Sequence, residues 1–385
     1  MKRFMVISVP LVLALFLLFG CAPRTITPAT APEPISRGPA AVTQEAWQTK
    51  WDNLVKEAKK ESILSMYSTG GGEIRDAITK SIQQQLGLKL EFITGKGAEV
   101  SQRLISERRN GIYLADVYLG GSTTILTQMK PAGMLDPMEP QIFLPEVLDP
   151  KAWYGGDGLK WKDKDKSAIS FITFAVPPLT VNTTLVRPDE IKSYKDLLNP
   201  KWKGKIILND PTVAGVGLRF FLIAGGIIMG YDYMKELVKQ EPIILRDQRQ
   251  QVEWLAQGKY PIVVTTKPEI VTEFVRAGAP LAHITPVEGM WTSAGSGNLA
   301  LMNKAPHPKA AQAFNNWVLT RDAQVLFSKA YGAPSARVDV PTEGLDPATV
   351  VKPGIKYIQG DSEEIELGSV EQRKIAVEIF APLMK

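Results

Sequence analysis

Cysteine is almost absent from this chain. Cys21 is the only one in 385 residues. A disulfide framework and a cysteine-rich zinc site are thereby excluded. Histidine is nearly as scarce: His283 and His307 are the only two, which excludes a histidine-rich metal cluster. Net charge is low as well. The 45 basic and 40 acidic residues leave +5, and two of the positives, Lys2 and Arg3, lie in a segment expected to be removed. No Lys/Arg run forms a phosphate-tracking stripe, so no nucleic-acid partner is expected. No repeat of solenoid length is present. Catalytic signatures are missing too. Ser293-Ala294-Gly295-Ser296-Gly297 lacks the spacing of a nucleophile elbow, and Gly204-Lys205 is followed by Ile206 rather than the hydroxyl of a Walker A loop. The run Asp163–Ser167 imitates the start of a calcium loop, but Ala168 stands where the turn needs glycine. His307, between Pro306 and Pro308 before a helix, reads as structural.

What is present begins at the N-terminus. Lys2 and Arg3 precede an apolar run from Phe4 to Phe19, the charged and hydrophobic regions of a secretory signal over residues 1–20. Its 16 residues are short for crossing a hydrocarbon core of about 30 Å. The run ends in Leu18-Phe19-Gly20-Cys21, which resembles the bacterial lipobox, with the single cysteine at the cleavage point. That resemblance implies lipidation of Cys21 and a stable membrane anchor, because each buried methylene adds about 0.8 kcal/mol. Residues 21–44 hold five prolines (Pro23, Pro28, Pro32, Pro34 and Pro39) among Ala and Thr. Such a composition cannot build a core and reads as an extended tether.

The remainder is long enough for two domains at roughly 150 residues each. Trp47, Trp51, Leu54, Val55 and Ala58 recur at helical spacing, so the tryptophans are expected to face a core. Strands are predicted at Ile63–Ser68, Lys89–Thr94 and Ala115–Leu119, with helices at Glu73–Leu86 and Glu99–Arg109 between them. This alternation implies a parallel, doubly wound sheet. A second alternation has strands at Lys205–Leu208, Ile243–Leu245 and Pro261–Thr265, and helices at Leu218–Met229, Gln250–Gln257 and Ile270–Arg276. Leu299–Met302 reads as a return strand. Helices follow at Lys309–Leu319, Ala323–Ala330 and Val370–Leu383, with Asp339–Asp361 loop-rich. The fold class expected is α/β: two doubly wound lobes joined by crossings near Phe171–Asn182 and Val287–Leu299. Lobe 1 would comprise residues 45–175 plus 295–385, and lobe 2 residues 176–294. Ligands of open α/β sheets sit beyond the carboxyl ends of the strands, and two lobes joined by two strands can hinge over a cleft.

At this point the chain resembles a known family, the type II extracellular solute-binding proteins of ABC importers. The resemblance is to the branch that contains ferric-iron, thiamine and phosphorylated-solute binders. It rests on Leu54–Glu61 before Leu64–Ser68, on Ala115-Asp116-Val117 before a double glycine, and on Ser193–Ile206 followed by Asn209-Asp210-Pro211. Trp254–Pro261, Ala305–Ala311, Phe314–Trp317 and Gly332–Pro334 continue it in order. The resemblance spans about residues 47–340. It implies a monomeric binding protein, extracytoplasmic and on the periplasmic or cell-surface side, that hands a small-molecule ligand to membrane permease subunits. It implies no catalysis and no cofactor.

The candidate ligand contacts are loops before helices. Tyr67, Ser68, Thr69 and Gly70 end the first strand. Gly121 and Ser122 follow the third, and Thr212 and Gly215 open the second lobe's first helix. Unpaired amides and the helix dipole make such termini anion seats, although Ser, Thr and Gly also serve as plain caps. Arg246, Thr266 and Lys267 also follow strands. Each is either a charge or hydroxyl contact to an anion or an ordinary surface group. Trp291 either stacks on an organic ligand or fills the hinge. Tyr67 either offers its hydroxyl or packs in the core.

Ferric-binding relatives place adjacent tyrosines just after the Gly-x-x-Pro strand. Here Gly258-Lys259-Tyr260-Pro261 leads through Ile262–Thr266 to Lys267-Pro268-Glu269, without that pair. An organic or phosphorylated anion is therefore favoured over ferric iron, and no metal site is expected. The reading from a different class is a tethered hydrolase drawing on Asp116, Asp210, Glu269 and Glu288. A ligand sensor for a signalling receptor is a third.

Overall fold

The computed structural model describes residues 40–384. The signal segment, Cys21 and the tether up to residue 39 lie outside the described residues. The first helix, Ala40–Glu61, begins within the stretch read as tether. The proline run stops at Pro39, and Ala-Ala-Val-Thr-Gln-Glu that follows has no helix breaker.

The first sheet has six strands in the order Lys89–Thr94, Ile63–Ser68, Val117–Gly120, Asn298–Leu301, Ala168–Ser170 and Lys160–Trp161. The first three are parallel, with Met66 opposite Val117 and Leu64 opposite Leu90. The return strand Asn298–Leu301 is antiparallel to both its neighbours. Side chains alternate between two cores, as a pleat requires. Leu64, Met66, Val117 and Leu119 pack with the Gly72–Leu86 helix through Ile74, Ile78, Ile82 and Leu86. Tyr67 and Tyr118 face the opposite core, with Val100 and Leu104 of the Gly97–Arg109 helix. Both faces are covered, which makes this lobe doubly wound.

The second sheet has the order Leu281–Ile284, Leu179–Asn182, Ile262–Val264, Ile206–Asn209 and Ile243–Leu245. Its last three strands are parallel. Ile206, Leu208, Ile262 and Val264 face one core, while Ile207 and Val263 face the other. The apolar helix after Asp210 runs from Val216 to Phe220 and continues as a π-helical stretch, Phe221–Met229.

The two crossings pair with each other. Phe174–Val176 lies antiparallel to Met290–Ser293, with Trp291 opposite Val176. A third strand, Tyr357–Gln359, joins them parallel to Met290–Ser293. It falls in the segment read as loop, where glycine and proline flank three residues too few to show a period. The last helix, Glu363–Phe380, starts two turns earlier than its apolar pattern suggests. Glu363, Glu364 and Glu366 in its first turn suit the positive end of the helix dipole. Ile365, Ala376 and Phe380 pack in the second lobe's core, with the Phe380 ring 6.2 Å from that of Phe221. The helix thus follows its apolar face onto lobe 2, whereas the sequence reading set residues 295–385 in lobe 1.

Candidate functional site

In the first lobe, Ile63–Ser68 ends at a tight loop. The Ser68 hydroxyl accepts from the Gly70 amide at 2.9 Å. Thr69 donates its amide to the Leu119 carbonyl and its hydroxyl to Ser296 Oγ at 3.2 Å. Gly70 is buried against the next helix, where a Cβ would lie 2.9 Å from Ile74 Cδ1. The helix Gly72–Leu86 that follows has no side-chain cap. Tyr67 turns away from this loop. Its hydroxyl donates to the Glu107 carboxylate at 2.9 Å, and burial pushes the phenol up to about 12.

Gly121 and Ser122 open the helix after Val117–Gly120. The hydroxyls of Ser122 and Thr123 there already hold a carboxylate of the chain itself. Ser122 Oγ donates to Glu366 Oε1 at 2.8 Å, and Thr123 Oγ1 to Glu366 Oε2 at 3.0 Å. Arg219 of the second lobe completes the cage at 2.9 Å. Glu366 is only 1% exposed.

In the second lobe, Asp210 organises the loop after Ile206–Asn209. Asp210 Oδ1 accepts from the Thr212 amide at 2.8 Å and from its hydroxyl at 2.6 Å. Asp210 Oδ2 accepts from Arg246 Nε at 2.8 Å. Burial raises the Asp210 pKa, but the Thr212 bonds and the Arg246 guanidinium outweigh it and hold the carboxyl below its ordinary range. Arg246 keeps 68% of its side chain exposed, so it has donors to spare. Two glycines make the loop possible. Gly215 sits at φ 151°, a backbone conformation that favours glycine. At Gly217 a Cβ would lie 2.3 Å from the Asn209 carbonyl oxygen.

The strand Ile262–Val264 leads to Thr265 at φ 58°. That turn buries Thr266, whose hydroxyl finds no partner among the described residues. Lys267 is exposed, and its amide donates to Gln248 Oε1 at 2.8 Å. The nine-residue helix Pro268–Arg276 starts there without a side-chain cap. Trp291 lies 2% exposed in the hinge sheet and its ring packs in the second core. A Cβ on Gly360 would be 2.7 Å from Trp291 Cδ1, so the strand after Tyr357 closes over the indole.

The structure therefore brings Asp210, Thr212 and Arg246 into one hydrogen-bonded set, and Thr266 and Lys267 to the next strand end. Ser122 is joined instead to Glu366. Among the described residues no hydrogen bond links the Thr69–Gly70 loop to the second-lobe loops. Three of the four carboxylates considered for hydrolysis have partners of their own: besides Asp210, Asp116 takes the Ser65 amide and the His307 amide and ring, and Glu288 takes Ser193 and the Tyr194 amide.

Several polar groups went unread. Arg219, alone in an apolar helix, carried a visible signal. Glu366 lies 244 residues from Ser122 and carried none. Tyr118 is fully buried beside the hydroxyls of Thr69 and Thr124, and burial pushes its phenol up to about 12. A Cβ on Gly120 would lie 2.5 Å from the Tyr118 hydroxyl and 2.8 Å from Thr69 Oγ1.

Comparison with known proteins agrees with this fold. An uncharacterised protein of Haemophilus influenzae is 24% identical over 85% of this chain and 92% of its own length. The Trichodesmium protein IdiA (FutA), solved with iron and citrate, superposes with a TM-score of 0.60 at 20% identity. That match covers 84% of this chain and 99% of the other. The periplasmic binding protein AfuA from Actinobacillus pleuropneumoniae, solved with fructose-6-phosphate, gives 0.53 at 21% identity, over 83% and 98%. These neighbours share the two-lobed periplasmic-binding fold. The model of the family described as bacterial extracellular solute-binding protein matches residues 77–353, and the chain belongs to that family.

Proposed function

We propose that this protein is the lipid-anchored binding component of an ABC importer, capturing a small organic or phosphorylated anion between its lobes. Cys21 carries the lipid and residues 22–39 the tether. Lobe 1 is built from residues 45–175 and the return from 295. Lobe 2 is built from residues 176–294, with the C-terminal helix packed on it.

The observation that carries the anion preference is the second-lobe wall. Arg246 is held by Asp210 yet mostly exposed, and two strands away in the same sheet follow Thr266, whose buried hydroxyl has no partner among the described residues, and the exposed Lys267. Cations and hydroxyl donors at strand carboxyl ends suit a phosphate or carboxylate. The strand end that would carry paired phenolates in an iron binder carries Thr265 and Thr266 instead. Among the described residues no three His, Cys, Asp or Glu side chains group as metal ligands. The neighbours named for iron with citrate and for fructose-6-phosphate mark the two ligand classes that compete here. The solute shifts the protein toward the closed form by binding it more tightly than the open one.

A thermal-shift panel of sugar phosphates, citrate, thiamine and Fe³⁺ tests the reading. Stabilisation by a sugar phosphate or an organic acid, reduced in Arg246→Ala, is the expected result. Stabilisation by Fe³⁺ alone, with a phenolate charge-transfer band, would reverse it.

A further inference from the structure

The C-terminal segment joins both lobes, and it does so with two different chemistries. Toward lobe 2 the contact has an apolar centre, with Ile365, Ala376 and Phe380 in that core, and polar contacts to Arg219, Tyr231 and the Thr212 carbonyl around it. Toward lobe 1 it is polar. Asp361 pairs with Lys162. Glu363 Oε1 accepts from Lys130 Nζ at 2.6 Å, and Glu363 Oε2 from the Lys164 amide at 3.2 Å. Glu366 accepts from the Ser122 and Thr123 hydroxyls. Packed apolar surface does not part without exposing it to water, whereas a carboxylate and a hydroxyl can each be re-solvated. If the lobes separate, the helix must travel with lobe 2, and the break must fall between Glu363–Glu366 and lobe 1.

We propose that Glu366 is an interlobe latch. It holds the donors of Ser122 and Thr123, at a helix start in lobe 1, against Arg219 in lobe 2, and so biases the chain toward closure by an internal anion rather than by solute. Three consequences follow. The Ser122 seat does not read the solute's anionic group while the latch is formed. Selection of the solute falls to the Arg246–Lys267 wall. Releasing the latch raises the open population before any solute is present. The proposal rests on the two-lobed motion of the proposed function, but its test uses no solute. Failure of the latch would leave solute capture standing, and a chain that binds no solute would leave the latch measurable.

The test is a distance distribution by double electron–electron resonance on the full chain. Cys21→Ser removes the native thiol, and spin labels are placed at Gln84→Cys on the Gly72–Leu86 helix and Lys235→Cys on the Tyr231–Lys239 helix, both exposed sites. Losing one charge-assisted bond corresponds to roughly a tenfold change in the open-to-closed ratio. Glu366→Gln is expected to add or enlarge a longer-distance mode by about that factor. Ser122→Ala with Thr123→Val must do the same, since it cuts only the lobe 1 side; it also decides the matter if Glu366→Gln fails to fold. Glu371→Gln, an exposed carboxylate of the same helix paired with Lys374, must leave the distribution unchanged. Wild-type distributions in the Ser122/Thr123 variant, or an equal shift in Glu371→Gln, overturn the proposal.

Discussion

Asp210→Asn is the most informative single change. The side chain is 1% exposed, and its two oxygens hold Thr212 and Arg246. Asparagine keeps one acceptor for Thr212 but presents an amide donor to the guanidinium. The Arg246 pair contributes at most about 1 kcal/mol, because that side chain is 68% exposed and solvent screens it. The two Thr212 bonds fall from charge-assisted to neutral strength, a loss of about 1 kcal/mol each. The expected destabilisation at neutral pH is therefore roughly 2–3 kcal/mol. It should be read by urea unfolding followed through hydrogen exchange of the Ile206–Asn209 amides. A pH series separates this cause from others. The folded pKa of Asp210 is depressed, so its contribution is present above the unfolded value of about 4 and is lost as pH falls through the folded one. The gap between wild type and variant must therefore be full at neutral pH and close in acid. A gap that persists unchanged to low pH, or no gap at neutral pH, would refute the reasoning.

Gly217→Ala places a methyl 2.3 Å from the Asn209 carbonyl and 2.6 Å from that of Asp210, both backbone, so a loss above about 3 kcal/mol or insoluble protein is expected. Gly71→Ala, with open space around it, should change denaturation midpoints little. Trp291→Ala empties a buried hinge site and should cost about 3–5 kcal/mol by calorimetry. Thr266→Val removes a buried unpaired hydroxyl and should stabilise the solute-free protein by about 1 kcal/mol while weakening solute binding in calorimetric titration; a neutral effect on binding removes Thr266 from the site. Cys21→Ser should move the protein out of the membrane fraction, and retention there would refute lipid anchoring at Cys21.

The α/β alternation was legible because Ile63–Ser68 and Ile243–Leu245 are short, mostly apolar runs closed by threonine or charge, and Lys89–Thr94 alternates polar and apolar residues at its start. The antiparallel strands were harder. Leu281–Ile284 carries His283 in its middle, and Lys160–Trp161 is two residues long, so neither shows a period. Of the site, strand-end loops could be read from Gly, Ser and Thr before helices. Which of their hydroxyls remain free could not. Tyr67 is taken by Glu107 and Ser122 by Glu366, pairings across 40 and 244 residues that only the folded chain sets. Arg246 kept spare donors because it follows the edge strand Ile243–Leu245 and stays mostly in solvent, whereas the Thr266 hydroxyl is buried past the central strand with no partner among the described residues.

The most direct test of solute capture is native mass spectrometry of the chain as purified. The account predicts one small organic or phosphorylated anion bound per chain, released intact on unfolding and lost in Arg246→Ala. An iron adduct in its place, or a covalently altered product after incubation with a panel compound, would contradict it.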